Sequence, residues 1–422
     1  MKPLVIRLLP LLFIYVAVVL LYSPRELAGD EYRYLRYANN LANGFYTDRE
    51  NPELENGPIY PLLLSPLVYF DAPLISLRLV NSLLLFFGVI YYYNILRLYL
   101  KKKPAILFTY LVALYPLTLQ LVPRLYSESL TFFLVSAACF HFCYSFKKPS
   151  RLWLQFALVS FYLALLILTK VLFAYVTVVC CLLLLVKFLF FKSPEKSLRT
   201  AALCIAAITL CIPYLSYTYY LTGKVFSWGT GGGAILYWKT SPFPEEFGNW
   251  HKLDTLASSI DVRCQNPEAI KYHLAINEAI QPLSYVERDE WLRERAVENL
   301  KNYPDRYVIN TAASLGRLFF SYPYSYSAQK LSTYYYILPN MFLFVISVFS
   351  AIAGLLRYRL IPWEMRALFG LSAIYIGGIC LLNGIPRHLL PVFPIIILLN
   401  AFIITRILTL RLRSQLDNDL QQ

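Results

Sequence analysis

Residues 4–46 read LVIRLLPLLFIYVAVVLLYSPRELAGDEYRYLRYANNLANGFY, an apolar run of membrane-span length followed at once by an acid-led, tyrosine-rich segment. Crossing a bilayer takes roughly 20 apolar residues in a helix, and Leu4–Tyr22 supplies them behind Lys2 and Arg7. The run has the outline of a signal peptide. No small-x-small cleavage site follows and more apolar runs do, so it is expected to stay as a first span entering from the cytoplasm. Beyond Pro24 the pattern changes: Tyr34, Leu35, Tyr37, Ala38 and Leu41 fall at helical spacing, which suits a helix lying in the membrane interface.

Outward from this stretch, apolar runs near 73–99, 104–122, 128–146, 152–169, 171–190 and 200–220, and after a polar gap near 332–356, 364–382 and 388–406, bring the expected total to about ten spans. A cytoplasmic N terminus puts Lys101–Lys103, Lys147/Lys148/Arg151, Lys192/Lys196/Arg199, Arg357/Arg359 and Arg411/Arg413 on that same side, as the positive-inside rule asks; no other parity does. The outer side then receives 23–72, the turns at 123–127 and at Lys170, the segment 221–331 and the turn Asn383–Arg387.

The expected fold is an all-α membrane protein in three regions. Residues 1–220 form an N-terminal transmembrane catalytic module that includes the outer loop 23–72, residues 221–331 a small periplasmic domain, α or mixed, and residues 332–422 the closing helices and a cytoplasmic tail. In ENGPIYPLLLSPLVYF, prolines 58, 61 and 66 argue against a regular crossing helix and for a second interfacial piece. The 221–331 segment gains Pro, Gly, Asn, Glu and Trp, with a helical pattern from about Ser284 to Asn302. The glycine run in its WGTGGGAILYW opening lacks the GxxxxGK[ST] spacing of a phosphate loop and reads as a flexible turn.

Composition agrees with this class. Of 422 residues, 58% are hydrophobic and only 15% charged, more apolar surface than a soluble chain could hide. The net charge of +14 sits in short clusters beside apolar runs, which points to membrane topology and away from nucleic acid. Seven of eight cysteines lie inside apolar runs and Cys264 stands alone in the 221–331 segment; no CxxC or Cys/His spacing marks a metal site.

The candidates for chemistry collect on the expected outer side. Asp30 and Glu31 open the interfacial helix, and Arg33 lies one turn from Asp30 on the same face. A helix N-terminus accounts for one acid; a second acid and an arginine directly after a span point further, to a reacting group. Glu128, in Ser127-Glu128-Ser129 behind Arg124, sits where an outer turn enters a span, a depth at which ionisable groups are costly and line functional cavities. Lys170 stands between two spans, and Arg387 and His388 lie in GIPRHLLPVFP, all basic on the side where the rule disfavours them. Snorkelling explains such cations in part. The other reading is a phosphate held by lysine as a point charge and by arginine as a fork.

Taken in order, these residues resemble the C-type (GT-C) membrane glycosyltransferases that use polyprenyl-phosphate sugars, in particular the bacterial relatives of protein O-mannosyltransferase and lipid A aminoarabinose transferase. The likeness runs over essentially the whole chain and rests on GDEYRYLRYANNLANG, GPIYPLLLSP, SES, ALLILTKVLF, WGTGGGAILYW, NYPDRY and PRHLLPVFP. It implies a GT-C bundle with Asp30 as catalytic base or acceptor-orienting residue, Glu31 and Arg33 completing a DExR arrangement, and Glu128 as the second acid of the aminoarabinose branch. One departure stands out: that branch's phosphate-contacting Lys-Pro-Pro reads Asn56-Gly57-Pro58 here. The phosphate role is therefore expected of Lys170 and Arg387, with His388, Arg124 and Arg33 in support.

The implied activity is an inverting transfer of a sugar from a polyprenyl phosphate to a hydroxyl of an envelope glycolipid, glycan or protein, at the periplasmic face of a bacterial inner membrane. Membrane lipids are the remaining partners expected; no metal site is assigned, and a divalent cation at Glu31 or Glu128 is left open. Two other classes stay in view, a lipid-linked substrate transporter and a polysaccharide ligase. Transporters often carry inverted repeats, and none is visible here.

Overall fold

The computed structural model describes residues 2–148, 151–190, 194–253, 266–325 and 334–408, and among these every regular element is helical. In chain order they are α1 (Lys2–Tyr22), α2 (Asp30–Ala42), α3 (Ile59–Tyr69), α4 (Leu74–Tyr99), α5 (Lys102–Ala113), α6 (Pro116–Leu121), α7 (Glu128–Lys147), α8 (Leu152–Ile167) and α9 (Leu172–Phe190). There follow α10 (Pro194–Leu210), α11 (Ile212–Thr222), α12 (Gly232–Lys239), α13 (Pro267–Ile280), α14 (Tyr285–Asn302), α15 (Pro304–Phe320), α16 (Tyr334–Leu356), α17 (Trp363–Leu381) and α18 (Phe393–Phe402), the last running on into a π-helical turn, Ile403–Leu408. Cys264, Lys192, Arg411 and Arg413 lie outside the described residues.

All ten expected runs are helical, but they are not equally long. Among the described residues, five helices are long and apolar enough to cross a membrane: Leu74–Tyr99, Glu128–Lys147, Leu172–Phe190, Ile337–Leu356 and Trp363–Leu381. A sixth results if Glu195–Leu210 and Ile212–Thr222, bent by 48°, count as one span. Ten crossings would require the shorter helices, among them Ile6–Tyr22, Leu152–Ile167 and Phe393–Leu408, to cross as well. Proline sets two of the breaks. Pro116 and Pro213 stand in the first turns of α6 and α11, where a missing N–H costs nothing but where the preceding helix cannot continue through the ring.

The bundle is organised around α4 and α7, which pack along each other; α8 lies on α7, α9 and α10 pair, and α17 closes against α9. At Gly88 on α4 a Cβ would stand 3.0 Å from the Phe133 backbone and closer still to the Phe132 ring, so the missing side chain lets the two helices approach. α3 ends as an 11-residue helix with Pro66 inside it, a short piece as its prolines foretold, and packs on α2.

Within the 221–331 segment, α12, α13 and α14 bury a cluster of their own around Tyr237, Trp238, Ala269, Ile276, Ile280, Leu292 and Ala296. The helical pattern expected from Ser284 is α14, started by a capping box of Ser284 and Glu287. The glycine run is not a flexible turn. Gly231 adopts φ +108°, the N–H groups of Gly231 and Gly233 donate to Asp289 Oδ1 at 2.8 and 2.6 Å, and a Cβ on Gly233 would fall 1.9 Å from the Asp289 carbonyl oxygen. It is a fixed start for α12, locked onto α14.

At the far end of α12, Lys239 is fully buried, its ammonium donating to the Asn310 carbonyl at 2.8 Å and to Ser314 Oγ on α15. Burial, with Arg317 nearby, lowers its pKa to about 7. The unfolded chain, with an ordinary lysine near 10.4, therefore holds this proton over a range where the folded chain does not. Folding stability is expected to rise with pH between about 7 and 10, by at most about 1.4 kcal/mol per unit. Thermal unfolding followed across that range should lose most of the slope in a Lys239→Met variant.

Candidate active site

α2 carries the acids because of what stops the chain before it. Gly29 turns with φ +59° close against Tyr126 Oη, where a Cβ would stand 3.1 Å away, and α2 then starts with Asp30. Tyr34, Tyr37 and Ala38 form its buried face. No side-chain cap hydrogen bond is made at this N-terminus, so Asp30 is not consumed as a cap. Its Oδ1 accepts from Arg33 Nη2 at 2.7 Å, and its Oδ2 pairs with Arg387 Nη1 at 2.7 Å. The segment after α1 and the loop after α17, 357 positions apart in sequence, thus meet at one carboxylate.

This carboxylate stays reachable, since the side chains of Asp30, Arg33 and Arg387 are 21%, 22% and 27% exposed. Burial pushes the Asp30 carboxyl up, but Arg387 and Arg33 outweigh it and hold the group below the usual carboxylate value. The same pairing keeps the Arg387 guanidinium more firmly protonated than an ordinary arginine, against the pull of burial. Arg387 also lies over the Tyr126 ring, 5.2 Å from its centroid, and its Nε is buried without a hydrogen-bond partner.

A second ion pair lies alongside. Lys170, in the short turn between α8 and α9, donates to Glu128 Oε1 at 3.1 Å, while Glu128 Oε2 is buried with no partner. Burial pulls the Lys170 pKa down, but Glu128 and Tyr34 together hold it above that of an ordinary lysine, so the amine stays charged. Tyr34 joins the two groups: its hydroxyl lies 2.9 Å from Ser127 Oγ and accepts from Asn56 Nδ2 at 3.2 Å. Asn56 in turn accepts from Arg33 Nε, and Arg33 Nη1 pairs with Glu55 at 2.5 Å.

The other expected residues fall into different places. Glu31 is fully buried, accepting from the backbone N–H groups of Ala28 and Leu125 at 3.0 and 2.8 Å and pairing with Arg78 at 3.3 Å. Its carboxylate ties the start of α2 to the turn before α7. Arg124 lies 3.8 Å from Glu31 and makes no ion pair with Asp30. His388 donates Nδ1–H to the Asn383 carbonyl at 2.9 Å, which leaves Nε2 as its free atom. A divalent cation does not fit these acids as they stand. Both Asp30 oxygens are taken by arginines, and among the described residues no three His, Cys, Asp or Glu side chains converge on one point.

Sequence reasoning missed Glu55, Asn56, Tyr34 and Arg78. Arg78 was visible in principle: an arginine in the apolar run LISLRLVNS is expensive in a membrane helix and asks for a buried partner. Asn56 and Gly57 had been noticed only as a lost lysine. In fact Gly57 sits against the α8–α9 turn, where a Cβ would lie 2.0 Å from the Leu168 carbonyl oxygen, two residues from Lys170. Gly57→Ala is expected to push this loop off the turn and separate Lys170 and Asn56 from Asp30. Activity should fall at least tenfold with only a small loss in melting temperature, because α3 and the bundle below keep their packing; a tenfold loss corresponds to about 1.4 kcal/mol of transition-state stabilisation.

No protein-family model matches the chain, and no curated protein sequence does. Solved structures do share its fold. The oligosaccharyltransferase of Archaeoglobus fulgidus in complex with zinc and sulfate superposes with a TM-score of 0.54 at 15% identity, over 98% of this chain and 51% of that one. The same enzyme with an inhibitory peptide and a dolichol-phosphate gives 0.53 at 14% identity, over 98% and 51%. Tethered to an acceptor peptide it gives 0.55 at 14% identity, over 93% and 48%. This chain thus spans about half the length of the structures it matches, and the likeness is one of fold.

Proposed function

We propose that the chain is an inverting glycosyltransferase that moves a sugar from a polyprenyl phosphate to an acceptor hydroxyl, in the cleft bounded by Asp30, Arg387 and Lys170. One observation carries the reading: a single accessible carboxylate is held by two arginines, one of them brought from the opposite end of the chain, with a charged lysine alongside. A base needs reach to a substrate proton, and a phosphate leaving group needs fixed positive charge. Both lie in this cleft. The fold shared with an oligosaccharyltransferase solved in complex with a dolichol-phosphate supports a lipid-linked donor.

In the proposed step the acceptor oxygen attacks the anomeric carbon, its proton passes to Asp30, and the bond from that carbon to the phosphate oxygen breaks with its electron pair going to the phosphate. Arg387 and Lys170 neutralise the departing phosphate, Arg33 stays with Glu55 and Asn56 to orient Asp30, and Glu128 holds Lys170 in place. Arg124 and His388 line the approach, and Glu31 serves through the position of α2. A single displacement of this kind inverts the anomeric centre and needs one carboxylate, where a glycoside hydrolase uses two.

The acceptor is a hydroxyl of a glycolipid, glycan or protein of the envelope. Ten crossings with both termini cytoplasmic would put the cleft on the periplasmic side of a bacterial inner membrane, since the basic clusters at Lys101–Lys103 and Arg357/Arg359 then share the inner face. The test is mass spectrometry of envelope glycolipids and glycoproteins from cells with and without the gene. Loss of one sugar from one class of product supports the transferase. An unchanged profile together with lipid flux across vesicles containing the purified protein would replace it with a transporter.

A further inference from the structure

An apolar cavity lies toward the opposite end of the bundle from Asp30. α9 starts beside Lys170 and α17 ends beside the Asn383–Arg387 loop, so Lys187 and Trp363 lie roughly 25 Å of helix away from the Asp30 cleft. There, between α7, α8, α9, α10 and α17, is an apolar cavity of about 270 Å³. Phe142, Leu166 and Cys204 are among its walls, and Leu183 on its rim is more than half exposed, so the cavity meets the lipid phase.

Its polar groups gather at one end. Lys187 Nζ lies 4.2 Å and Arg366 Cζ 5.9 Å from the centroid of the same Trp363 ring, and all three residues line the cavity. Trp363 is 8% exposed, and its indole N–H has no hydrogen-bond partner. Among the described residues no acid pairs with Lys187 or Arg366. Glu364, the acid next along α17, is taken by Tyr99 Oη at 2.8 Å and by Lys147 at 3.9 Å.

Snorkelling explains a lone cation at a helix end. It does not explain two like charges gathered on one indole with a buried donor left open beside them. Two cations and an N–H at the mouth of an apolar cavity match a phosphodiester with an acyl chain attached.

We propose that this cavity binds an anionic phospholipid, its phosphate between Lys187 and Arg366 and in reach of the Trp363 N–H, and one acyl chain in the cavity. The site is separate from the transferase cleft, and its test does not depend on activity. The full-length protein is purified into nanodiscs containing phosphatidylglycerol, phosphatidylcholine or polyprenyl phosphate, and retained lipid is counted by native mass spectrometry. Phosphatidylglycerol should be retained at about one per chain and phosphatidylcholine should not.

Lys187→Gln combined with Arg366→Gln should lower that retention at least tenfold. Gly370→Leu should do the same by another route: Gly370 lines the cavity and a Cβ there meets nothing within 4 Å, so the added side chain fills the space without disturbing the fold. Equal retention of the two phospholipids, or unchanged retention in both variants, overturns the site. So does displacement of phosphatidylglycerol by polyprenyl phosphate, which would make the cavity part of the donor site.

Discussion

Asp30→Asn is expected to cut turnover by about 10²–10⁴-fold, the usual contribution of a positioned general base, while donor binding is kept or becomes tighter. The direction of the binding effect follows from the two salt bridges. Arg387 is engaged by Asp30 Oδ2 at 2.7 Å, so a phosphate that recruits Arg387 must compete with that carboxylate. An amide competes less well. Turnover and donor affinity should therefore move in opposite directions, which simple misfolding would not produce. Steady-state kinetics with a defined polyprenyl-phosphate sugar, combined with equilibrium binding of the same donor, reads both.

A pH consequence goes with this competition. Arg387 and Arg33 hold the free Asp30 carboxyl below its usual value against the upward push of burial. When the donor phosphate draws Arg387 away, part of that hold is lost and the carboxyl rises. Since kcat/KM reports the free enzyme and kcat the complex, the acidic limb of kcat should lie at higher pH than the acidic limb of kcat/KM. Coincident limbs would mean that Arg387 stays on Asp30 through the reaction.

How much of this could be read from the residues alone depends on the range of the interaction. Local features were legible. The start of α14 at Ser284 is a capping box within four residues, the shortness of α3 follows from its prolines, and the opening of α2 by Asp30 follows from periodicity. The pairing of Asp30 with Arg387 was anticipated only as a shared compartment; which cation would touch the carboxylate depends on how α17 packs on α9, and that information is spread over the whole bundle. Glu31 shows the opposite limit. Adjacent to Asp30 and chemically alike, it is expected from sequence at the same catalytic site, but a 100° turn of helix per residue sends it to Arg78 and the Leu125 N–H. The span count is less legible for a related reason: hydropathy averages over the breaks at Pro116 and Pro213, whereas the length that five of the described helices reach singly does not.

Arg387→Ala and Lys170→Met separate the two cations that flank the cleft, because one is replaceable in the fold and the other is not. Arg387 is 27% exposed, and its partner Asp30 keeps Arg33 at 2.7 Å when Arg387 is lost. The variant should fold, and should lose about 10²–10³-fold in kcat/KM for the donor, the scale measured when one fixed charge or donor is taken from a developing anion. Arg387→Lys should recover only part of this, since a point charge cannot reproduce the fork. Lys170→Met differs in kind. Glu128 is 4% exposed, its Oε2 already lacks a partner, and Lys170 is its ion-pair partner. Removing one member of a buried pair strands the other charge at about 3–5 kcal/mol, here toward the low end because Lys170 is 23% exposed. A depressed melting temperature is therefore expected for Lys170→Met alone. Adding Glu128→Gln removes the stranded charge and should restore the melting temperature. If activity returns with it, Lys170 serves only to hold Glu128; if activity stays low in a fully folded double variant, Lys170 acts on the donor phosphate itself.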